Sequence, residues 1–143
     1  MSYTKIIVHL VWSTKNRESL INDNIKRDLL NHIKENSIKK EIFIDTINCI
    51  SDHIHLLISL GTDQTISKVV QLIKGESSHW VNSLNIVKNK FEWQDDYFAM
   101  SISQSIMDRV RHYIDNQEEH HRRKSYIEEC EEIMNQYGFK NNQ

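Results

Sequence analysis

Two histidines stand one residue apart in "SDHIHLLI", residues 51–58, inside an otherwise apolar run. On a strand, residues i and i+2 point the same way, so His53 and His55 share one face. Ile54, Leu56 and Ile58 take the other face, the one that suits a core. The two imidazoles are then about 7 Å apart along the strand, close enough to converge on one metal ion. The same pair also suits exposed or hydrogen-bonded histidines, and two ligands do not make a metal site. A third must come from elsewhere.

"VRHYIDNQEEHH", residues 110–121, supplies a candidate. Tyr113 and Gln117 are four apart and share one face of a helix, at the margin of the stripe made by Ile106, Val110 and Ile114. A Gln oxygen beside two imidazoles suits Mg²⁺ or Mn²⁺ better than a structural zinc site. A phenol next to such an ion can act as a nucleophile once deprotonated. The bland alternative is that Tyr113 packs at the helix edge while Gln117 is solvated. Tyr3, Tyr97, Tyr126 and Tyr137 lack a Gln four residues on.

These residues need elements to hold them. "YTKIIVHLVWST" (3–14) reads as a strand, and "INDNIKRDLLNHIKENS" (21–37) as a helix capped by Asn22 or Asp23, with Ile25, Leu29 and Ile33 inward. "EIFIDTINCISDHIHLLISL" (41–60) is too long for one strand and is split near Ile47–Asp52 into two paired strands. A second helix over 65–84 starts at Thr65. A fourth strand is expected over 91–103, and a third helix over 105–120 with Ser105 and Asp108 as a capping box. The tail from Ser125 to Tyr137 is expected to be helical, with Gly138 as a stop. The order β-α-β-β-α-β-α-α predicts an α+β, ferredoxin-like (RRM-like) antiparallel sheet with helices on one face and the histidine pair on a central strand.

Bulk properties agree with one domain spanning 1–143. The chain has 143 residues, 38% hydrophobic and 27% charged, with no proline and three glycines, which suits a packed core and leaves no linker. No apolar run is long enough for a bilayer, and the N-terminal segment does not read as a signal peptide. Cys49 and Cys130 show no zinc spacing and read as reduced thiols, consistent with a cytoplasmic location. The net charge of −2 argues against coating nucleic acid by charge alone. Residues 1–92 carry 12 Lys+Arg against 10 Asp+Glu, whereas 93–143 carry 6 against 10, so a local basic surface remains open.

"DHIHLLI" resembles the HUH motif (histidine, bulky hydrophobic residue, histidine). "VRHYIDNQ" resembles the tyrosine helix of the single-tyrosine HUH transposases, the enzymes of hairpin-ended insertion sequences. "VHLVWSTKNR" (8–17) is similar to that family's first strand and basic turn, and "KGESS" (74–78) to its KGxSS-like stretch. The likeness runs from about residue 3 to residue 125. It implies His53, His55 and Gln117 as metal ligands, with Mg²⁺ or Mn²⁺ as cofactor, and Tyr113 as nucleophile. It implies cleavage and rejoining of single-stranded hairpin DNA through a 5′-phosphotyrosine, without a nucleotide cofactor, by a homodimer.

Lys15, Arg17, Lys74, Arg109, Arg111, Arg122 and Arg123 are the candidate DNA-binding residues. "YTKIIVHLVW" is a candidate edge strand for subunit pairing. Trp12, Trp80 and Trp93 could stack on bases but suit core packing, and His120 and His121 read as surface residues. The rival readings are a domesticated nuclease acting on repeat hairpins and a non-catalytic nucleic-acid-binding module.

Overall fold

The structure, a computed structural model, describes residues 1–119 and 124–137. Four strands, β1 (Ile7–Ser13), β2 (Phe43–Cys49), β3 (His53–Ser59) and β4 (Phe98–Ile102), form one antiparallel sheet in the order β2-β3-β1-β4. Helices α1 (Asp23–Lys39) and α2 (Ile66–Ser83) follow β1 and β3. Helices α3 (Met107–Asp115) and α4 (Tyr126–Tyr137) follow the last strand. The expected α+β sheet is therefore present, with His53 and His55 on a central strand.

Strand alternation divides the core in two. Val8, Leu10 and Trp12 of β1 and Ile54, Leu56 and Ile58 of β3 pack against Ile25, Leu29 and Ile33 of α1 and Val69, Val70 and Ile73 of α2. The opposite face carries Ile7, Leu57 and Ile102, which α3 covers with Met107, Val110 and Ile114. Both sheet faces are thus covered, which corrects the expectation of helices on one face: α3 lies opposite α1 and α2. α1 and α2 begin as the sequence predicts. Asn22 accepts from the amides of Asn24 and Ile25, and Thr65 accepts from that of Lys68 at 3.2 Å. No described helix is long and apolar enough to cross a membrane.

Four further expectations need correction. The fourth strand is only Phe98–Ile102. Phe91 and Trp93 are buried in the core, but their segment is irregular, because Asn82 bonds both backbone groups of Phe91 and Trp93 pairs only with Thr14. The third helix is shorter than 105–120. It ends at Asp115, with Asn116 as C-cap, before residues 117–119 turn helical again. Ser105 with Asp108 forms no capping box. Ser105 lies in a 3₁₀ turn and bonds Ser103, and Asp108 pairs with Arg111. Finally, β1 is no edge, because β3 and β4 flank it, and the sheet's edges are β2 and β4.

Candidate metal and nucleophile site

The histidine pair is buried, not exposed. His53 is 1% and His55 0% accessible. Their face of β3 points away from the α1–α2 core, but α3 and α4 close over it. In the register, His53 lies opposite Ser13 and His55 opposite Val11. The ring centroids stand 5.2 Å apart, with the planes inclined at 65°.

Each ring has one nitrogen pointing inward and one held from behind. The Nδ1 of His53 donates to Asp52 at 2.8 Å, and the Nδ1 of His55 lies 2.9 Å from the Nε2 of His9 on β1. The inward nitrogens meet Glu129 of α4. Its Oε2 is 2.9 Å from His53 Nε2 and its Oε1 is 3.0 Å from His55 Nε2. Nitrogen and carboxylate atoms of His53, His55 and Glu129 lie within 4.8 Å of one another.

Tyr113 completes the group. Its ring is 5.6 Å from that of His55, and its hydroxyl donates to Glu129 Oε1. Gln117 is 1% accessible. Its Nε2 donates to the Tyr113 carbonyl at 3.3 Å, and the side chain also reaches the phenol. Its Oε1 is buried with no hydrogen-bond partner among the described residues. A buried amide oxygen without a partner is costly for stability alone. Two inward imidazole nitrogens and a carboxylate form a donor set that fits a borderline divalent cation, and the buried Gln117 oxygen is of the hard type such an ion also takes.

The electrostatics bind the group tightly. Burial opposes charge on His53, but Asp52 and Glu129 outweigh it and raise its pKa to about 9. Burial also opposes charge on Glu129, yet the two imidazoles hold its carboxyl far below the usual range. Burial and the adjacent Glu129 charge push the Tyr113 phenol well above its ordinary value. Burial lowers His9 to about 3, so that ring is neutral.

α3 is fixed to β2 by its own contacts. Arg111 forks onto both oxygens of Asp45 at 2.8 Å and pairs with Asp108. Asn48 of β2 donates to the carbonyl of Ile114 at 2.9 Å. Those contacts place Tyr113 over the histidines of its own chain.

The family model described as "Transposase IS200 like" matches residues 2–117. The chain belongs to the IS200-like transposase family. It is 24% identical over 114 residues to the ISDra2 transposase TnpA of Deinococcus radiodurans, covering 76% of this chain and 81% of that protein. Its fold is similar to that of a candidate transposase from Deinococcus radiodurans R1, with a TM-score of 0.64 and 21% identity over 81% of this chain and 93% of the other. It also resembles a REP-associated tyrosine transposase solved with a REP hairpin, with a TM-score of 0.57 and 19% identity over 80% of this chain and 66% of that one.

The candidate DNA contacts of this IS200-like transposase are scattered. Lys15 and Arg17 lie exposed in a 3₁₀ turn (Lys15–Arg17) just past β1, and Lys15 pairs with Glu92 at 3.1 Å. Arg109 is exposed on α3. Arg111 is engaged by Asp45 and Asp108. Lys74 donates to the carbonyls of Gln94, Asp95 and Asp96 and sits over the rings of Trp12 and Tyr97, so its three hydrogens are taken. Ser77 of the same KGESS stretch accepts from the buried Trp93 indole at 2.9 Å. That stretch therefore anchors the 91–97 segment, on the sheet face opposite the histidines. Trp12 and Trp93 are core residues, and Trp80 stacks on His32 at 4.3 Å. Arg122, Arg123, His120, His121 and Gly138 lie outside the described residues.

The sequence reading missed Glu129 and His9. Glu129 sits in the acidic run "IEECEE", where nothing marks one carboxylate as different. His9 carried a weak signal, a histidine at an inward position of an apolar strand.

Proposed function

We propose that this chain cleaves and rejoins single-stranded DNA at hairpin ends, with Tyr113 as the nucleophile. His53, His55 and Gln117, joined or opposed by Glu129, would hold a divalent cation, Mg²⁺ or Mn²⁺. The observation that carries this reading is the buried meeting of two imidazole nitrogens and the Tyr113 phenol on the Glu129 carboxylate, with the buried Gln117 side chain against Tyr113. Family membership supports it.

When bound, such a cation withdraws charge from a non-bridging oxygen of the scissile phosphate and orients it for in-line displacement. The Tyr113 oxygen attacks phosphorus, a DNA 3′-OH leaves, and a 5′-phosphotyrosine remains. A second 3′-OH then attacks that linkage and expels the phenolate, so no nucleotide cofactor is consumed. Tyrosine suits the second step because a phenolate leaves more readily than a serine alkoxide. With Glu129 on its hydroxyl, the phenol is held protonated, which makes the described arrangement the resting one. Cleavage needs Glu129 to withdraw or its charge to be cancelled.

The basic turn Lys15–Arg17 is well placed to guide a strand. The Thr14 amide donates to Asp52 O at 2.8 Å, so the turn adjoins the start of the HUH strand. A groove of about 410 Å³ beside it is lined by Arg17, Asn16, Gln94 and Phe98 and is bordered by Cys130 of α4. One cation, Arg17, and one aromatic, Phe98, suit a single strand there, with Glu131 of α4 also lining the groove. Arg109, Arg122 and Arg123 are further candidates for phosphate contact.

The test is cleavage of end-labelled hairpin oligonucleotides drawn from the flanking DNA, with Mg²⁺, Mn²⁺ or chelator, resolved on denaturing gels. Metal-dependent cutting by the wild type, abolished in Tyr113→Phe, is expected. Cutting that ignores the metal, or persists in Tyr113→Phe, refutes the reading. The likeness to a REP-hairpin complex favours one second reading, a domesticated nuclease acting on chromosomal repeat hairpins. A gene flanked by short subterminal hairpins would favour the mobile element, and a lone copy near scattered repeats the nuclease.

A further inference from the structure

A third histidine lies behind the pair. His9 is 3% accessible and sits on β1, on the same sheet face as His55. The register pairs Val11 with His55 and His9 with Leu57, so His9 and His55 are diagonal neighbours across the β1–β3 ladder. Their rings are 5.1 Å apart, and His9 Nε2 is 2.9 Å from His55 Nδ1. His9 Nδ1 is buried with no hydrogen-bond partner among the described residues. Packing alone gives no reason for an imidazole there. A leucine would fill the space without leaving a polar atom unpaired.

We propose that His9 is a positioning residue of the metal site, accepting the Nδ1 hydrogen of His55 so that His55 Nε2 faces the cation with its lone pair. The inference rests on the proposed metal role of His53 and His55. A cation bound at Nε2 needs that nitrogen free of hydrogen, so the neutral ring carries its hydrogen on Nδ1. That hydrogen needs an acceptor in a place closed to water, and His9 Nε2 lies 2.9 Å away. His9 then carries its own hydrogen on Nδ1, the atom left without a partner. His53 has the matching arrangement, with Asp52 behind its Nδ1 at 2.8 Å. Both rings are therefore oriented from behind, one by a carboxylate and one by a neutral imidazole. Such outer partners fix the tautomer and direction of a ligand histidine.

The polarity of the His9–His55 bond also depends on the state of the site. With Glu129 as its neighbour, His55 Nε2 must carry a hydrogen to donate across 3.0 Å. If His55 is neutral in that state, its Nδ1 accepts from His9 Nε2. Exchange of the carboxylate for a cation reverses the bond: His55 Nδ1 donates, and both rings change tautomer with no net loss of a proton from the pair. His9 can serve both states because imidazole is donor and acceptor.

The test compares wild type, His9→Leu, His9→Gln, His53→Ala and His55→Ala. Mn²⁺ affinity is read from the free-ion signal in electron paramagnetic resonance. The ring ¹⁵N shifts of His55 are read in the Mg²⁺-loaded wild type, which gives the tautomer without any variant. The expected result is an Nδ1–H tautomer for His55, Mn²⁺ binding roughly ten- to hundred-fold weaker in His9→Leu, and most of that loss restored in His9→Gln, whose amide oxygen can accept. An Nε2–H tautomer in the loaded protein, or wild-type affinity in His9→Leu, would overturn the role of His9. So would a folded His9→Gln as weak as His9→Leu, since packing alone then explains the loss. If His53→Ala and His55→Ala bind Mn²⁺ like the wild type, the metal site itself is wrong and this inference falls with it. Loss in those two with none in His9→Leu removes the inference alone.

Discussion

At the scale of single residues, the site is a set of polar side chains that make sense only together. His53, His55, Gln117 and Glu129 are all buried, and each would be expensive to bury by itself. Their mutual contacts offset much of that, and Gln117 Oε1 is buried with no hydrogen-bond partner among the described residues. Cys49 shows the contrast of a buried residue with no such role. It is 0% accessible in the α1–α2 core, and burial pushes its thiol up to about 12. A disulfide reagent on the native protein should therefore spare Cys49 and reach it only on unfolding, while Cys130 is the thiol open to reaction. Mass-spectrometric peptide mapping before and after denaturation checks this, and native labelling of Cys49 would contradict the packing described.

At the scale of elements, α3 and α4 turn an ordinary sheet into a site. α3 depends on the Arg111–Asp45 fork, and Asp45→Asn should lower stability by about 1 kcal/mol, read from urea unfolding. The Arg111 hydrogen bonds hold the Asp45 carboxyl below its ordinary value. A depressed carboxyl contributes stability above its unfolded pKa and loses it as pH falls through the folded one. The gap between wild type and Asp45→Asn should thus be full at pH 6 and shrink as pH drops below the usual aspartate range. α4 acts as a cover. A chain ending before Ser125 should keep its fold, because no described α4 residue belongs to the α1–α2 core. In that shortened, metal-free chain His53 and His55 should react with diethylpyrocarbonate, whereas in the intact chain they resist it. Equal protection in both would mean that α4 does not close the site.

Much of this was legible in the sequence, for physical reasons that also mark the limit. Period-two alternation placed His53 and His55 opposite Ile54 and Leu56, and the caps at Asn22 and Thr65 are local chemistry. Tyr113 and Gln117 do meet, although Asn116 interrupts their helix. Phe91 and Trp93 misled because aromatic residues favour strands, while the bonds that make their segment irregular come from Asn82 and Ser13, which no local pattern reveals. Glu129 was illegible for the same reason: its partners lie on a strand far back in the chain, and only tertiary packing selects it from its acidic neighbours.

At the scale of the whole molecule, one chain brings a tyrosine helix to its own histidine pair. The homodimer expected from the sequence would have to pair through the sheet edges β2 or β4, since β1 is interior. β2 is broken by an irregularity between Ile44 and Thr46, which blunts that edge, and β4 is the shorter alternative. If each chain builds its own site, co-expressed His53→Ala and Tyr113→Phe subunits should not restore cleavage, because neither chain is complete. Restored cleavage would mean that the tyrosine helix serves the partner's histidines.

The central claim is that Tyr113 becomes covalently joined to DNA beside the His53–His55 pair. The most direct measurement is to trap the protein with a 5′-phosphate-labelled hairpin substrate and Mn²⁺, digest both components, and locate the nucleotide by mass spectrometry. The account predicts a 5′-phosphoryl nucleotide on the peptide carrying Tyr113, absent without metal and absent in His55→Ala. A nucleotide on another tyrosine, or cleavage with no covalent protein–DNA species at all, would contradict it.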